Sequence, residues 1–265
     1  MQFDGKKLSA WREALDESLP KIFDVIGDAR GRGLILGASV LQIYYEQGWL
    51  PRARATGDLD LSVGIVSNAQ EYQMLRTKLL ALGYIPDEQS RHYRLISPVK
   101  VGLSRGYVDL LAHPEGTQIS ADEARATMGV GPGWSFNEIL FALEAALQIA
   151  PNVYVPNPLG FLALKAASYI DNPNRTKDLV DIVDVVFGIV RNALHFDLNE
   201  VWQSMKTARP TEATTLKSMI TGISKGEIRW DFSRAEQEFI QRGYDMEQVE
   251  YESEIIFSDL DEQLP

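Results

Sequence analysis

The chain has 265 residues, of which 45% are hydrophobic and 24% are charged, so it can bury the core of one large domain or of two small ones. Its 37 acidic residues outnumber 26 basic ones, and the net charge of -11 argues against a protein that binds nucleic acid over its whole surface. The absence of cysteine excludes disulfides, thiolate nucleophiles and cysteine-ligated metal centres.

The sequence carries no targeting or membrane signal that we recognise. The first residues lack the apolar stretch of a signal peptide. The longest apolar segment, residues 139–150, is too short for a membrane span and contains Glu144 and Gln148. These features predict a cytoplasmic protein with no membrane contact.

The N-terminal part of the chain predicts alternating helices and strands. Apolar residues at three- and four-residue steps over residues 8–26 indicate an amphipathic helix. A short apolar strand at residues 34–36 precedes a glycine turn and a helix that ends near Gly48. Strict alternation then predicts a strand that contains Asp58 and Asp60. A helix is predicted next, followed by three strands, at residues 72–82, 92–96, 99–103 and 107–111.

From about residue 121 the pattern becomes mainly helical. Helices are predicted at residues 137–147, 159–169, 176–190, 198–205, 212–223 and 235–242. A short hairpin is predicted around residues 148–155. We therefore expect an α/β (α+β) fold in which residues 1–118 form an α/β core with a short mixed sheet and residues 119–265 form a mainly helical domain.

The negative charge is concentrated near the C-terminus. Residues 245–262 contain eight acids and no Lys or Arg, which leaves 29 acidic against 26 basic residues in the rest of the chain. Such a run predicts a solvated extension. The less frequent alternative is a segment that occupies a basic groove, in the same chain or on a partner.

Two carboxylates on one strand face are the first candidates for chemistry. Asp58 and Asp60 are two residues apart, so their side chains emerge from the same face and can bind the same pair of divalent cations. Asp109 lies in another short apolar strand, and a sheet pairing would bring it beside them. Three acids from adjacent strands make a two-metal site.

A second candidate is the turn Gly37-Ala38-Ser39, between a predicted strand and a predicted helix. Such a turn offers backbone amides, a helix N-terminus and a hydroxyl group to phosphate oxygens. The Asp-x-Asp strand follows some twenty residues later. The phosphate cradle and the metal ligands are therefore expected at the ends of neighbouring strands.

Several stretches between residues 34 and 187 carry a more specific pattern. They are Leu36-Gly37-Ala38-Ser39, Arg54-Ala55-Thr56-Gly57-Asp58-Leu59-Asp60-Leu61, Asp109 as the third acid, Leu162-Ala163-Leu164-Lys165, and Arg175-Thr176-Lys177-Asp178-Leu179-Val180-Asp181. In this order they resemble the polymerase β-like nucleotidyltransferases, and among them the AbiEii-type toxins of abortive-infection and toxin–antitoxin systems. Ala38 departs from the pattern, since many members have a second Gly or a Ser there.

The resemblance implies roles for these residues. Gly37 and Ser39 would hold the β- and γ-phosphates of a nucleotide. Asp58, Asp60 and Asp109 would bind two Mg²⁺ ions, with Mn²⁺ as the alternative, one for the triphosphate and one to acidify the attacking hydroxyl. Asp109 would also accept the proton of that hydroxyl.

Further nucleotide-binding residues follow from the same resemblance. Lys165 would neutralise the triphosphate and so assist the departure of pyrophosphate. The remaining positions would shape the site or contact substrate, and they are Arg54, Thr56, Lys177 and Asp178.

Simpler interpretations were weighed for several polar residues. Lys165 stands among apolar residues, where an inward charge needs an anion, so a functional role is favoured over a surface one. Asp181 and Asp184 are expected to form the solvated stripe of a helix. Arg94 is expected on a solvated strand face, and Trp134 fits a base-stacking residue and a loop anchor equally well.

The function implied by the resemblance is Mg²⁺-dependent transfer of a nucleoside monophosphate from an NTP to a hydroxyl group, with release of pyrophosphate. The acceptor is expected to be an RNA end, particularly the 3′ end of tRNA, or a protein side chain, and the chain is expected to be a toxin with a cognate antitoxin. One alternative is transfer to a small molecule such as an aminoglycoside. Another is a non-catalytic nucleotide sensor or antitoxin-like module, which the complete set of three acids disfavours.

Overall fold

The chain folds into a mixed α/β structure. The computed structural model describes residues 22–27, 33–51, 60–64, 69–87, 94–101, 104–111, 137–191, 197–227 and 231–265. The described residues up to 155 contain both helices and strands, and those after it form helices. This agrees with the α+β class expected from the sequence.

The helices, named in chain order, are mostly short in the N-terminal part and longer after residue 157. They are α1 (Ile22–Gly27), α2 (Ala38–Glu46), α3 (Ala69–Ala81), α4 (Asn137–Leu143), α5 (Pro158–Asp171), α6 (Thr176–Arg191), α7 (Leu198–Ala208), α8 (Pro210–Ser224), a 3-10 turn (Phe232–Ala235), α9 (Glu236–Gln241) and α10 (Met246–Gln263). None of these helices is both long and apolar enough to cross a membrane.

The described strands form two small sheets. The strands are β1 (Gly33–Leu34), β2 (Asp60–Gly64), β3 (Ile85–Pro86), β4 (Arg94–Val101), β5 (Ser104–Leu111), β6 (Leu147–Ala150) and β7 (Val153–Val155). One sheet has the order β1-β7-β6 and the other the order β2-β5-β4-β3. Because β1 pairs with β7, the first sheet includes strands from both sides of residue 118, and the division into two domains remains a prediction.

Many of the predicted elements are present among the described residues, and one pair of predicted strands differs. The hairpin expected around residues 148–155 is the antiparallel pair β6–β7. The two strands expected at residues 92–96 and 99–103 are instead one strand, β4, whose register with β5 shifts between Ile96 and Lys100. Such an irregularity bends a strand without ending it, and Pro98 lies within the shifted stretch.

The acidic C-terminal run is not a solvated extension, which corrects the prediction for residues 245–262. It forms α10, and Asp245 caps that helix by accepting hydrogen bonds from the amides of Glu247 and Gln248. One face of α10 is buried against the helical half. Its buried residues are Val249, Ser253, Ile256, Phe257 and Leu260. The acids lie mainly on the opposite, exposed face. The negative charge of residues 245–262 therefore belongs to a helix that packs on the core.

Helix α6 passes through the centre of the core. Every residue from Asp178 to Ile189 is buried, including three aspartates at three-residue steps. Ile182 and Val183 are fully enclosed by the surrounding helices. A helix buried on all sides has no solvated stripe. The ionised groups that it carries therefore need charged or hydrogen-bonding partners from neighbouring segments.

Replacement of Phe257 by Ala tests whether the acidic segment is an integral helix. Phe257 is fully buried, and its removal should lower the free energy of unfolding by about 3–5 kcal/mol through lost burial and a residual cavity. Tyr251, on the same helix, is 70% exposed, and Tyr251→Ala should change stability by less than about 0.5 kcal/mol. Urea unfolding followed by circular dichroism measures both, and equal small effects would contradict the packed helix.

Candidate functional site

The turn between β1 and α2 has a backbone conformation that favours glycine. Gly37 has φ 73° and ψ -158°, a conformation that residues with a Cβ rarely adopt. It stands at the N-cap of α2 without a side-chain cap, and Ala38 and Ser39 follow it as buried residues of the first turn. The glycine is therefore required by the backbone, whatever the turn binds.

Strands β2 and β5 bring two of the predicted metal ligands onto neighbouring strands. The strands are parallel, with Asp60 aligned to Tyr107 and Ser62 aligned to Asp109. Asp60 and Asp109 thus occupy the same face, offset by two residues, which puts their Cα atoms about 8 Å apart by ordinary strand spacing. The strand pairing expected from the sequence is present. The structure describes the backbone of Asp60 but not its side chain.

Asp109 is held by an arginine from the adjacent antiparallel strand. The Nε and Nη2 groups of Arg94 donate to the two carboxylate oxygens of Asp109 at 2.7 and 2.8 Å. Arg94 is aligned directly opposite Asp109 and also lies over the ring of Tyr107, 5.0 Å from its centroid. The expectation of a purely solvated Arg94 is therefore wrong, because its charge is used to neutralise a buried carboxylate.

The strand register puts Asp60 and Asp109 on one sheet face, from which two carboxylates can converge on the same divalent cation. Arg94 is the competitor for such an ion, because it already engages both oxygens of Asp109. Within the described residues there is no group of three or more His, Cys, Asp or Glu arranged to hold a metal. Asp58, the third predicted ligand, lies outside them.

A second cluster centres on Lys165 of α5. Its ammonium lies 2.7 Å from Oδ1 of Asp178 and 2.8 Å from Oδ2 of Asp181. Lys165 is 8% exposed, Asp178 3% and Asp181 0%. The lysine therefore forms two buried ion pairs, one with each carboxylate. The ammonium also lies 5.5 Å from the centroid of the Phe161 ring, which limits access of water from that side. The anion that the sequence required for Lys165 is thus supplied by α6.

The charges in this cluster hold one another ionised. Burial alone would lower the pKa of Lys165, but the charges of Asp181 and Asp178 and their hydrogen bonds outweigh it and raise that pKa. Burial alone would raise the pKa of Asp178, but Lys165 and a hydrogen bond from Arg175 hold it below its usual value. Ser168 also donates to Asp178, at 3.0 Å.

The cluster continues beyond Asp181 into the C-terminal helices. Arg242, which follows α9, donates to Oδ1 of Asp181 at 2.5 Å and also to Asp184. The hydroxyl of Tyr244 donates to the other oxygen of Asp184 at 2.6 Å. Asp181 and Asp184 were expected on a solvated face, and both are instead buried. The reason is that α9 and its flanking residues cover this side of α6 with a cation and a hydroxyl.

Local features of α5 and α6 set the position of these side chains. Asn157 caps α5 by accepting hydrogen bonds from the amides of Leu159 and Gly160. Gly160 lies against the backbone of α4, where an added Cβ would be 2.8 Å from the Cα of Ala142. Lys165 follows two turns after the cap. The fixed start and close packing of α5 therefore determine where the lysine stem begins.

The three groups of residues belong to one packed region. Both β1 and α2, which flank the Gly37 turn, contact β2. Leu36, just before the turn, packs in the same apolar cluster as Leu164, the neighbour of Lys165. Tyr44 of α2 donates to the carbonyl of Pro156 at 2.7 Å, which ties α2 to the start of α5. The turn, the carboxylate strands and the lysine cluster are thus connected through adjoining elements.

Several predicted residues are not part of this arrangement or cannot be placed in it. Lys177 is exposed in the first turn of α6, next to buried Asp178. Arg54, Thr56 and Trp134 lie outside the described residues. The roles assigned to all of these residues remain predictions.

Sequence reasoning missed Arg242, Tyr244 and Ser168 as members of the lysine cluster. Ser168 lies three residues after Lys165, so helical spacing alone could have placed it on the same face. Arg242 and Tyr244 lie about sixty residues beyond the aspartates they contact. No local spacing signals that contact.

Comparison with known proteins gave no match to a family model, to a curated protein or to a solved structure. The functional interpretation therefore depends on the residues and their geometry.

The pKa shift of Asp178 predicts how stability depends on pH. Folding lowers this pKa from its ordinary value of 3.8, so ionised Asp178 contributes stability above that pH. The contribution is lost as the pH falls from 3.8 toward the pKa of the folded state. Asp178→Asn should therefore show a shallower fall in the free energy of unfolding below pH 4 than the unaltered protein.

Urea unfolding between pH 3 and pH 7 measures this difference. The matched control is Asp171→Asn, which removes an exposed carboxylate at the end of the same α5 helix that carries Lys165. In Asp171→Asn the free energy of unfolding should depend on pH as it does in the unaltered protein. If the free energy of unfolding fell equally steeply below pH 4 in Asp178→Asn and in the unaltered protein, an ionised, paired Asp178 would be excluded.

Proposed function

We propose that this chain is a Mg²⁺-dependent nucleotidyltransferase with a polymerase β-like core, which moves a nucleoside monophosphate from an NTP to a hydroxyl acceptor. The observation that carries the proposal is the contact of β1 and α2, on either side of the Gly37 turn, with the strand of Asp60, whose parallel neighbour carries Asp109. A phosphate cradle beside paired carboxylates is the arrangement that nucleotidyl transfer needs.

The reaction forms one bond and breaks another at the α-phosphorus. The acceptor oxygen bonds to that phosphorus while the bond to the bridging oxygen of pyrophosphate breaks, and the acceptor proton passes to Asp109. Mg²⁺ held by Asp58, Asp60 and Asp109 would supply stabilisation of the charge that develops on the phosphate oxygens.

The remaining roles belong to groups of the chain itself. Backbone amides at the Gly37 turn and the hydroxyl of Ser39 orient the β- and γ-phosphates. Lys165 donates hydrogen bonds to the triphosphate from a site where Asp178 keeps it charged. Arg54, Thr56 and Lys177 complete the nucleotide site.

For the acceptor we propose an RNA end, particularly the 3′ end of tRNA, or a protein side chain. The support is the resemblance of the motif set, in its order, to the AbiEii-type toxins. On the same ground we propose action in the cytoplasm as a toxin that a cognate antitoxin restrains. Apart from the acidic C-terminal run, the chain is nearly neutral, so an RNA end can approach it without strong repulsion.

Radiolabel transfer tests the proposal directly. Purified protein with Mg²⁺ and each of the four α-³²P-labelled NTPs, with and without total tRNA, should label RNA or protein on a gel that separates the two. Asp60→Asn should reduce the label about 100-fold or more, because one source of charge stabilisation in the reaction is lost. Unaltered labelling by Asp60→Asn would refute the assignment.

The control for this experiment is again Asp171→Asn, which should label as the unaltered protein does. Absence of label in a preparation that binds NTP would leave two readings, a small-molecule acceptor or a non-catalytic nucleotide-binding module. Repeating the reaction with an aminoglycoside and following pyrophosphate release separates these two.

One observation favours the non-catalytic module as the second candidate. Arg94 engages both oxygens of Asp109, which is the residue proposed to receive the proton. An arginine in that position is a substitute for a cation, as expected of a site that binds nucleotide without turnover. The two candidates differ in whether a divalent cation can displace the guanidinium.

Arg94→Gln distinguishes the candidates by metal binding. If Arg94 and the cation compete for Asp109, the variant should bind Mn²⁺ about tenfold more tightly, a typical coupling for residues in one ionic network. Isothermal titration of Mn²⁺ measures the Kd. Arg234→Gln is the control, because it removes an arginine from an exposed pair with Asp231. Measurable Mn²⁺ binding by the unaltered protein that becomes tighter in Arg94→Gln supports the transferase, because the cation can then displace the guanidinium. Mn²⁺ binding that appears only in Arg94→Gln supports the module.

A further inference from the structure

Arg242 has an unusual position for an arginine. It follows α9, is covered to about nine-tenths, and forms ion pairs with two aspartates of α6. One of them, Asp181, shares its second oxygen with Lys165. The two cations therefore lie on opposite oxygens of one carboxylate.

Consecutive charges form an alternating chain through the core. In order, its members are Arg175, Asp178, Lys165, Asp181, Arg242 and Asp184. Three cations balance three carboxylates. Each internal member is held from both sides, so the position of each depends on its neighbours.

The carboxylate of Asp181 would behave differently without Arg242. Both of its oxygens would then be available to Lys165, which is its remaining ionic partner in the described part of the chain. The ammonium would move toward Asp181 and away from Asp178. Arg242 prevents this because it occupies Oδ1 and leaves only Oδ2 to the lysine.

We propose that Arg242 is a positioning residue for Lys165: it holds the carboxylate of Asp181 so that the lysine is shared with Asp178 and presents its ammonium to a triphosphate. This inference rests on the proposed function, which assigns Lys165 to that group. Arg242 acts only through Asp181 and touches no substrate.

Holding Asp181 and Asp184 at the same time requires a guanidinium group, whose donor nitrogens lie in one rigid plane. Arg242 uses Nη2 for Asp181 and Nη1 for Asp184, so one rigid planar group fixes two carboxylates one helical turn apart. Tyr244 completes the fixation through the other oxygen of Asp184. A lysine in place of Arg242 could carry the charge but could not set both distances.

A simple tie between α6 and the C-terminal helices would not need a buried charge. Arg191 already makes such a tie to Glu252 of α10, with its side chain 47% exposed. Burying a second arginine costs desolvation that an exposed pair avoids. The structure therefore offers Arg191 as the matched control for a purely structural link.

The test measures binding of inorganic triphosphate in the presence of Mg²⁺ by isothermal titration calorimetry, at a temperature where circular dichroism shows each variant folded. Arg242→Gln should raise the Kd about tenfold, a typical coupling within one ionic network. Arg191→Gln should leave the Kd unchanged, although it too removes an ion pair of α6. Where Arg242→Gln does not fold, Arg242→Lys takes its place and should also weaken binding.

A double variant distinguishes an effect on the position of Lys165 from an effect on the net charge of the cluster. Arg242→Gln combined with Asp184→Asn restores the balance of charges without altering a group that contacts Lys165. Continued weak binding in the double variant supports positioning. Recovery of the Kd of the unaltered protein overturns it, because charge alone would then explain the effect.

Failure of this inference can be told apart from failure of the proposed function. If the unaltered protein binds triphosphate and Arg242→Gln binds it equally well, only the role of Arg242 is removed. If the unaltered protein does not bind triphosphate, both the assignment of Lys165 and the role of Arg242 are overturned.

Discussion

A buried lysine stays charged only where carboxylates surround it, and this constraint organises the helical half of the molecule. Lys165 is satisfied by Asp178 and Asp181, both on one helix that crosses the core. Those carboxylates in turn need cations of their own, because a single ammonium cannot neutralise two buried charges. Arg175 and Arg242 supply them from opposite sides.

The consequence is that distant segments must assemble together. Helix α5 brings the lysine, α6 the aspartates, and the segment after α9 the arginine. Removing Lys165 or Arg242 leaves a buried carboxylate without one of its cations, which is more costly than losing an exposed pair. An ionic chain of this kind contributes less to net stability than apolar packing of equal volume would, but it fixes the relative placement of three segments.

Local periodicity was sufficient to predict most of the elements. The β6–β7 hairpin and the helices between residues 157 and 242 follow from short-range patterns. The acidic helix α10 was missed because its eight acids obscured a buried stripe at three- and four-residue steps. That stripe, Val249, Ser253, Ile256 and Leu260, was readable in principle.

The ionic contacts could not have been predicted in the same way. Three aspartates at helical spacing are the same pattern whether they face water or a buried arginine, and the deciding partner, Arg242, lies 61 residues from Asp181. The pairing of Arg94 with Asp109 likewise depends on the register of two antiparallel strands. Sequence patterns therefore indicated which residues carry charge, while tertiary packing decided which charges meet.

The two charged sites differ in how readily their partners can change. The side chain of Arg94 is 22% exposed where it holds Asp109, which is the more accessible of the two sites for the proposed cation. The Lys165 cluster is more deeply buried, and among the described residues its cations and carboxylates balance. A balanced cluster attracts a triphosphate only weakly by net charge, since its positive field is cancelled nearby. Under the proposed function, Lys165 would therefore act chiefly as an oriented hydrogen-bond donor, and the neutralising charge would come from the cation proposed for the carboxylate strands.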